Sequence, residues 1–112
     1  MRRRPVAFRP QARADLADMF RTILHRSQDV ATARRFTPGI KDRCDRIGDA
    51  PKAGRPRDDL PEGLRTVAFE RSTVIAYRVE HRSVRILNIF YGGRDVEGFY
   101  LSDSADEAQE TR

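Results

Sequence analysis

One cysteine and two histidines are all that 112 residues contain of those types, and this scarcity removes several chemistries at once. Cys44 cannot form an internal disulfide. It falls among helical residues and reads as a buried structural thiol rather than a reactive one. His25 and His81 are far apart, and neither has a cysteine or histidine at zinc-ligand spacing. There is no serine nucleophile elbow, and Cys44 lacks an evident base. Gly92-Gly93 is too short to count as a phosphate-binding loop. The carboxylates are scattered, with no pair that spacing alone brings together. No metal and no cofactor is expected. No run of about 18 apolar residues exists, so no membrane-spanning segment is expected. The opening MRRRPVAF is basic but leads into no apolar stretch, so it does not read as a secretory signal. These absences point to a cytoplasmic protein.

What the chain has is charge, on 35% of its residues against a 38% hydrophobic share. One small domain is expected, over residues 1–101. The last ten residues, DSADEAQETR, hold four acids and one base, and the tail 102–112 is expected to be disordered. Without those ten, 21 bases face 13 acids, a net of +8. Nearly all the bases are arginine, the two lysines being Lys41 and Lys52. Such a body suits a nucleic acid, a protein–nucleic-acid complex or an acidic partner. It also suits a small domain that merely needs solubility.

The apolar pattern predicts an α+β fold. Pro5 to Arg9 reads as a short strand bounded by prolines, fit for a sheet edge. From Gln11 to Arg26, Ala12, Leu16, Met19, Phe20 and Ile23 fall at helical spacing. Ser27 or Asp29 can cap a second helix, in which Ala33, Phe36, Ile40, Cys44 and Ile47 recur at intervals of three and four. Pro38-Gly39 predicts a kink or break in it. Gly48 to Glu62, with three prolines and two glycines, reads as a loop. From Gly63 to Arg94 come three β-strands with alternating apolar residues, joined by turns at Glu70-Arg71-Ser72 and His81-Arg82-Ser83. The last of them, Val84 to Tyr91, is apolar on both faces and so reads as an interior strand. The whole is a strand, then a helical hairpin packed on an antiparallel sheet, in the order β-α-α-β-β-β. Arg65, Arg78, Arg85 and Arg94, with Tyr77, Tyr91 and Tyr100, could form a surface that holds phosphates and stacks bases. They could equally be ordinary exposed arginines and core tyrosines.

Several passages, in order, resemble one family. They are VAFRPQARADLADMF, then ATARRF, then the loop APKAGRPRDDLPEGLR, then VIAYRVEHRSVRILNIFYGGRD. Together they resemble the ParE/RelE superfamily of toxins from bacterial type II toxin–antitoxin systems, from about Val6 to Tyr100. The resemblance implies a helical hairpin against an antiparallel sheet. It also implies two possible activities. One branch cleaves messenger RNA in the ribosomal A site with basic sheet residues, an arginine after the last strand and a late tyrosine. Arg65, Arg94 and Tyr100 fall on three of those positions, while Val67 and Val74 stand where two further cations would be. The ParE branch instead poisons DNA gyrase by binding it, and the Gly-Leu-Arg, Tyr-Arg-Val and Gly-x-Arg-Asp pieces look more like that branch. The resemblance thus implies a gyrase-binding toxin with Arg65, Arg94 and Tyr100 as target-binding residues. A ribosome-dependent ribonuclease using the same three as catalytic residues is the alternative, and a non-toxic basic binding module the weaker one. A ParD-like antitoxin is the implied partner. An acidic or amphipathic segment of it is expected to fold onto the apolar hairpin, with Leu16 and Phe20 bordering the groove.

Overall fold

The computed structural model describes residues 3–101 apart from Glu62 and Arg71; the acidic tail, and the expectation of its disorder, lie outside them. The first strand, β1, is Val6–Phe8. Two helices follow, α1 over Pro10–Ser27 and α2 over Val30–Asp49. A two-residue strand, β2, is Arg55–Pro56. Three longer strands are β3 over Leu64–Phe69, β4 over Thr73–Val79 and β5 over Val84–Tyr91. They form one five-stranded sheet in the order β1-β5-β4-β3-β2. A final helical turn covers residues 96–101. The strand, helix, helix, three-strand order is the one the apolar pattern predicts.

Two pairings add to that pattern. β1 runs parallel to β5, with Val6 opposite Val84 and Phe8 opposite Ile86, while the other pairs are antiparallel. A parallel pair needs a long crossover, and the helical hairpin supplies it. β2 pairs only through Arg55 and Pro56, opposite Thr66 and Arg65. Its proline is tolerated because β2 is the outermost strand and one side of it needs no donor.

The helices begin and end for local reasons. Pro10 occupies the first turn of α1, where its missing N–H costs nothing. Gln28 takes the left-handed conformation that closes α1, with its N–H on the Leu24 carbonyl at 2.8 Å. Of the two candidate caps for α2, Asp29 serves: its carboxylate accepts from the Ala31 N–H at 3.1 Å and from Thr32 Oγ1 at 2.7 Å. Of the kink or break expected at Pro38-Gly39, the break does not occur: α2 runs through both residues. An interior proline costs about 3 kcal/mol, but Ala33 lies buried before it, and Ile40, Cys44 and Ile47 after it. Burying those side chains, at about 1.5–3 kcal/mol for each large one, outweighs the proline. Cys44 is fully buried in this core, and burial pushes its thiol up to about 12, so it stays protonated and unreactive at neutral pH.

The sheet separates two apolar clusters. On the helix side Leu16, Met19, Ile40, Cys44 and Ile47 meet Val67, Ile75, Tyr77, Ile86 and Ile89. On the other side Leu60, Leu64, Ala76, Leu87 and Phe90 are covered by Val96 and Tyr100 of the final turn. A register shift between Ala76 and Tyr77 leaves Leu87 as the extra residue in β5, since Ala76 faces Asn88 and Tyr77 faces Ile86.

Tyr77 also ties the loop after α2 to the sheet. Its buried hydroxyl donates to the Pro51 carbonyl at 2.6 Å and accepts from the Gly54 N–H at 3.0 Å. A Cβ on residue 54 would overlap that hydroxyl and its ring, so glycine is required there. Tyr77→Phe leaves the buried Gly54 N–H unpaired, at about 1–3 kcal/mol, and strips the part-buried Pro51 carbonyl of its donor. The expected result is a fall in Tm of roughly 10 °C by calorimetry. A Tm within about 2 °C of the parent would contradict the assignment.

Candidate functional site

The residues singled out by sequence do not gather in one place. Arg65 lies on β3 opposite Tyr77, on the helix side. Its guanidinium donates to the Lys52 carbonyl at 3.1 Å and the Gly54 carbonyl at 2.8 Å, so it is engaged in holding the loop. Arg94 follows β5 beyond Tyr91, which pairs with Thr73 at the opposite end of β4 from Tyr77. Four residues of strand separate the two rows, roughly 13 Å at 3.3 Å per residue. Tyr100 is buried on the face away from the helices, and its hydroxyl donates to Asn88 Oδ1 at 2.8 Å. It does not present that hydroxyl to a partner. Val67 is buried against the helices, while Val74 packs on the opposite face. Cations in those two places would not converge. Arg78 and Arg85, which could replace them, oppose each other across β4 and β5 on the face away from the helices, at the end far from Arg94.

Arg94 stands at a cleft of about 300 Å³ between the C-terminal half of α1 and the end of β5. Asp15, Asp18, Thr22, Arg26 and Tyr91 line it with Arg94. Gly92 and Gly93 carry the chain there at φ +78° and +75°, where a side chain would be strained. No atom stands within 4 Å of a Cβ at either position, so the demand for glycine is conformational. The two acids downstream of Arg94 have other partners. Asp95 Oδ1 accepts from the Gly98 N–H at 3.0 Å, and Glu97 accepts from Arg57 at 2.6 Å. Among the described residues, exposed Arg94 has neither a hydrogen bond nor an ion pair. The carboxylates of the cleft are also spoken for. Asp15 accepts from the Asn88 amide at 3.0 Å and the Ile89 N–H at 2.9 Å, and Asp18 pairs with Arg21. The cleft therefore offers two guanidiniums, Arg94 and Arg26, that have no partner among the described residues, which suits a partner's carboxylate or carbonyl.

The turn bearing Arg94 is pinned from outside by Arg57. Its guanidinium, almost buried, holds Asp59 at 2.8 Å and Glu97 at 2.6 Å. Hydrogen bonds from Arg57 hold both carboxyls below their ordinary values. Their folded values lie below their unfolded ones, so the stabilisation is complete above the unfolded carboxylate range. It is lost as pH falls through the lowered folded values. Thermal melts from pH 7 to pH 3 are expected to show Tm declining at the acid end. The decline should be shallower in Glu97→Gln, which removes one of the two titrating partners. Identical pH profiles for parent and variant would contradict this role.

A second surface lies on a different side of α1. A groove of about 790 Å³ runs between α1 and α2, with Phe8, Leu16, Ala17, Phe20 and Pro38 along it. Leu16 is 6% exposed and belongs to its base, and Phe20 is half-buried. Arg13, Arg34 and Lys41 stand around the groove against a single acid, Asp45. None of the three bases has an ion pair among the described residues. The sequence pattern placed Leu16 and Phe20 here but gave no sign of this basic border, whose members come from two helices. Among the described residues no group of three or more His, Cys, Asp or Glu side chains could hold a metal, and no helix is long and apolar enough to cross a membrane.

This fold is that of the ParE/RelE toxins. The chain is similar to the chromosomal ParDE toxin–antitoxin system of P. aeruginosa. That match has a TM-score of 0.70 at 23% identity, over 79% of this chain and 95% of that one. It is also similar to the toxin–antitoxin complex RelBE2 of Mycobacterium tuberculosis, with a TM-score of 0.65 at 18% identity, over 84% and 97% of the two chains. No curated protein sequence matches it. The family profile of the ParE toxin of the type II toxin–antitoxin system parDE matches residues 6–96. The chain belongs to that family of toxins.

Proposed function

We propose that this toxin arrests growth by binding DNA gyrase, without covalent chemistry of its own, and that a co-encoded ParD-like antitoxin neutralises it. The observation that carries the reading is the dispersal of the groups that RNA cleavage would need. Cleavage requires an acid, a base and several cations around one phosphate. Here Arg65 is engaged in the loop, Tyr100 is buried on the other face, and Val67 and Val74 supply no charge. Arg94 remains, exposed beside Arg26 at a cleft of about 300 Å³ and without a hydrogen bond or ion pair among the described residues. Family membership and the two toxin–antitoxin neighbours support an antitoxin partner. The groove between α1 and α2 is its proposed seat, where an amphipathic helix with acidic flanks would meet Leu16 and Phe20 below and three bases at the border. Purified toxin should inhibit supercoiling by gyrase in vitro, and added antitoxin should restore it. Supercoiling unaffected at a large molar excess of folded toxin would overturn the gyrase reading.

A further inference from the structure

We propose that Asn88 and Tyr100 are positioning residues for Arg94, clamping both ends of the turn that carries it onto one side-chain amide. The proposal rests on Arg94 being the residue that meets the target. Asn88 lies in β5 just ahead of the turn and is 1% exposed. Its Oδ1 accepts from Arg9 at 2.6 Å and from the Tyr100 hydroxyl at 2.8 Å, and its Nδ2 donates to Asp15 at 3.0 Å. These partners fix the amide's orientation: turning it over would put an NH2 group against a guanidinium and an oxygen against a carboxylate.

The clamp sits where β5 runs out of backbone partners on one side. β1 ends at Phe8, opposite Ile86. Beyond that point side chains continue the ladder, with Arg9 Nε donating to the Leu87 carbonyl at 2.6 Å and Asp15 accepting from the Ile89 N–H at 2.9 Å. Asn88 joins this edge to Tyr100, twelve residues on and past the Arg94 turn. Inside the turn, the Gly92 N–H donates to the Ser72 carbonyl at 2.9 Å, and Asp95 accepts from the Phe99 and Gly98 N–H groups at 3.0 Å. The backbone on either side of Arg94 is thereby fixed, while its side chain has no partner of its own. Fixing a contact residue before binding reduces the ordering cost when the partner arrives. Glycine at two successive positions would otherwise leave this turn loose.

Tyr100→Phe tests the clamp with little disturbance, because the ring keeps its edge-to-face contacts with Phe90 and Phe99. Growth arrest is measured against inducer dose in four chains: parent, Tyr100→Phe, Arg94→Ala and the double variant. Tm and amide hydrogen exchange are measured on the same proteins. Tyr100→Phe should weaken arrest roughly fivefold in the parent and have no further effect in the Arg94→Ala chain. It should lower Tm equally in both. Amide exchange at Gly92, Gly98 and Phe99, whose N–H groups are hydrogen-bonded around the turn, should quicken. A merely structural tyrosine would weaken arrest equally in both backgrounds, and that result, or unchanged exchange in the turn, overturns the positioning role alone. Full arrest by Arg94→Ala itself overturns the contact role of Arg94 and the positioning with it.

Discussion

Arg94→Ala relieves growth arrest while leaving the fold intact: this is the expected result with the largest functional effect. The side chain is exposed and makes no hydrogen bond or ion pair among the described residues, so its removal costs the folded state little. Substitutions at such places usually change stability by less than about 0.5 kcal/mol. A hydrogen bond from a charged group to a partner contributes about 1.5–3 kcal/mol. Losing it should raise the toxin concentration needed for half-inhibition of supercoiling by roughly 10- to 100-fold. Far-ultraviolet circular dichroism and Tm should match the parent. Arrest at equal expression, with an unchanged inhibition curve, would remove Arg94 from the contact.

Phe20→Glu should separate neutralisation from toxicity. Phe20 is half-buried in the α1–α2 groove, and α1 presents the Arg94 cleft through other residues: Asp15, Asp18, Met19, Thr22 and Arg26. A carboxylate at position 20 removes an aromatic anchor from the groove and sets a negative charge against an acidic partner. Aromatic anchors in such grooves commonly contribute 2 kcal/mol or more, so affinity for the antitoxin should fall by at least about 30-fold. The parent toxin should gain about 2.7 kcal/mol of stability with antitoxin at a hundred times its Kd, and the variant far less. In cells the variant should still arrest growth, and co-expressed antitoxin should no longer rescue it. Rescue at the parental antitoxin dose would move the antitoxin to another surface.

Local pattern carried most of the fold and less of the site. β3, β4 and β5 were legible because apolar and polar residues alternate along them. The helices were legible because their stripes repeat at three and four. The parallel β1–β5 pair was not, because its partners lie 78 residues apart and no turn joins them. β2 is two residues long with a proline, below any pattern. Pro38 does not break α2 because the three fully buried side chains that follow it outweigh its local propensity, and those contacts are not visible in local pattern. Spacing put Leu16 and Phe20 on the apolar stripe of α1, while the family resemblance singled out the groove and Arg94. The engagement of Arg65 with the loop depends on carbonyls 11 and 13 residues away, which no spacing rule reaches. Tyr100 was legible as a late tyrosine but not as a buried one, since its burial depends on the helical turn 96–101 folding back over β5. The Arg9–Asp15–Asn88–Tyr100 network joins partners up to 79 residues apart and left no trace in the sequence pattern.

A toxin that acts on gyrase, as proposed, leaves messages whole. Primer extension on abundant messages, sampled within minutes of toxin induction alongside a reporter of DNA damage, tests it most directly. Messages should stay intact through the onset of the damage response and of filamentation. Discrete cuts at A-site codons, appearing before any damage signal, would contradict it.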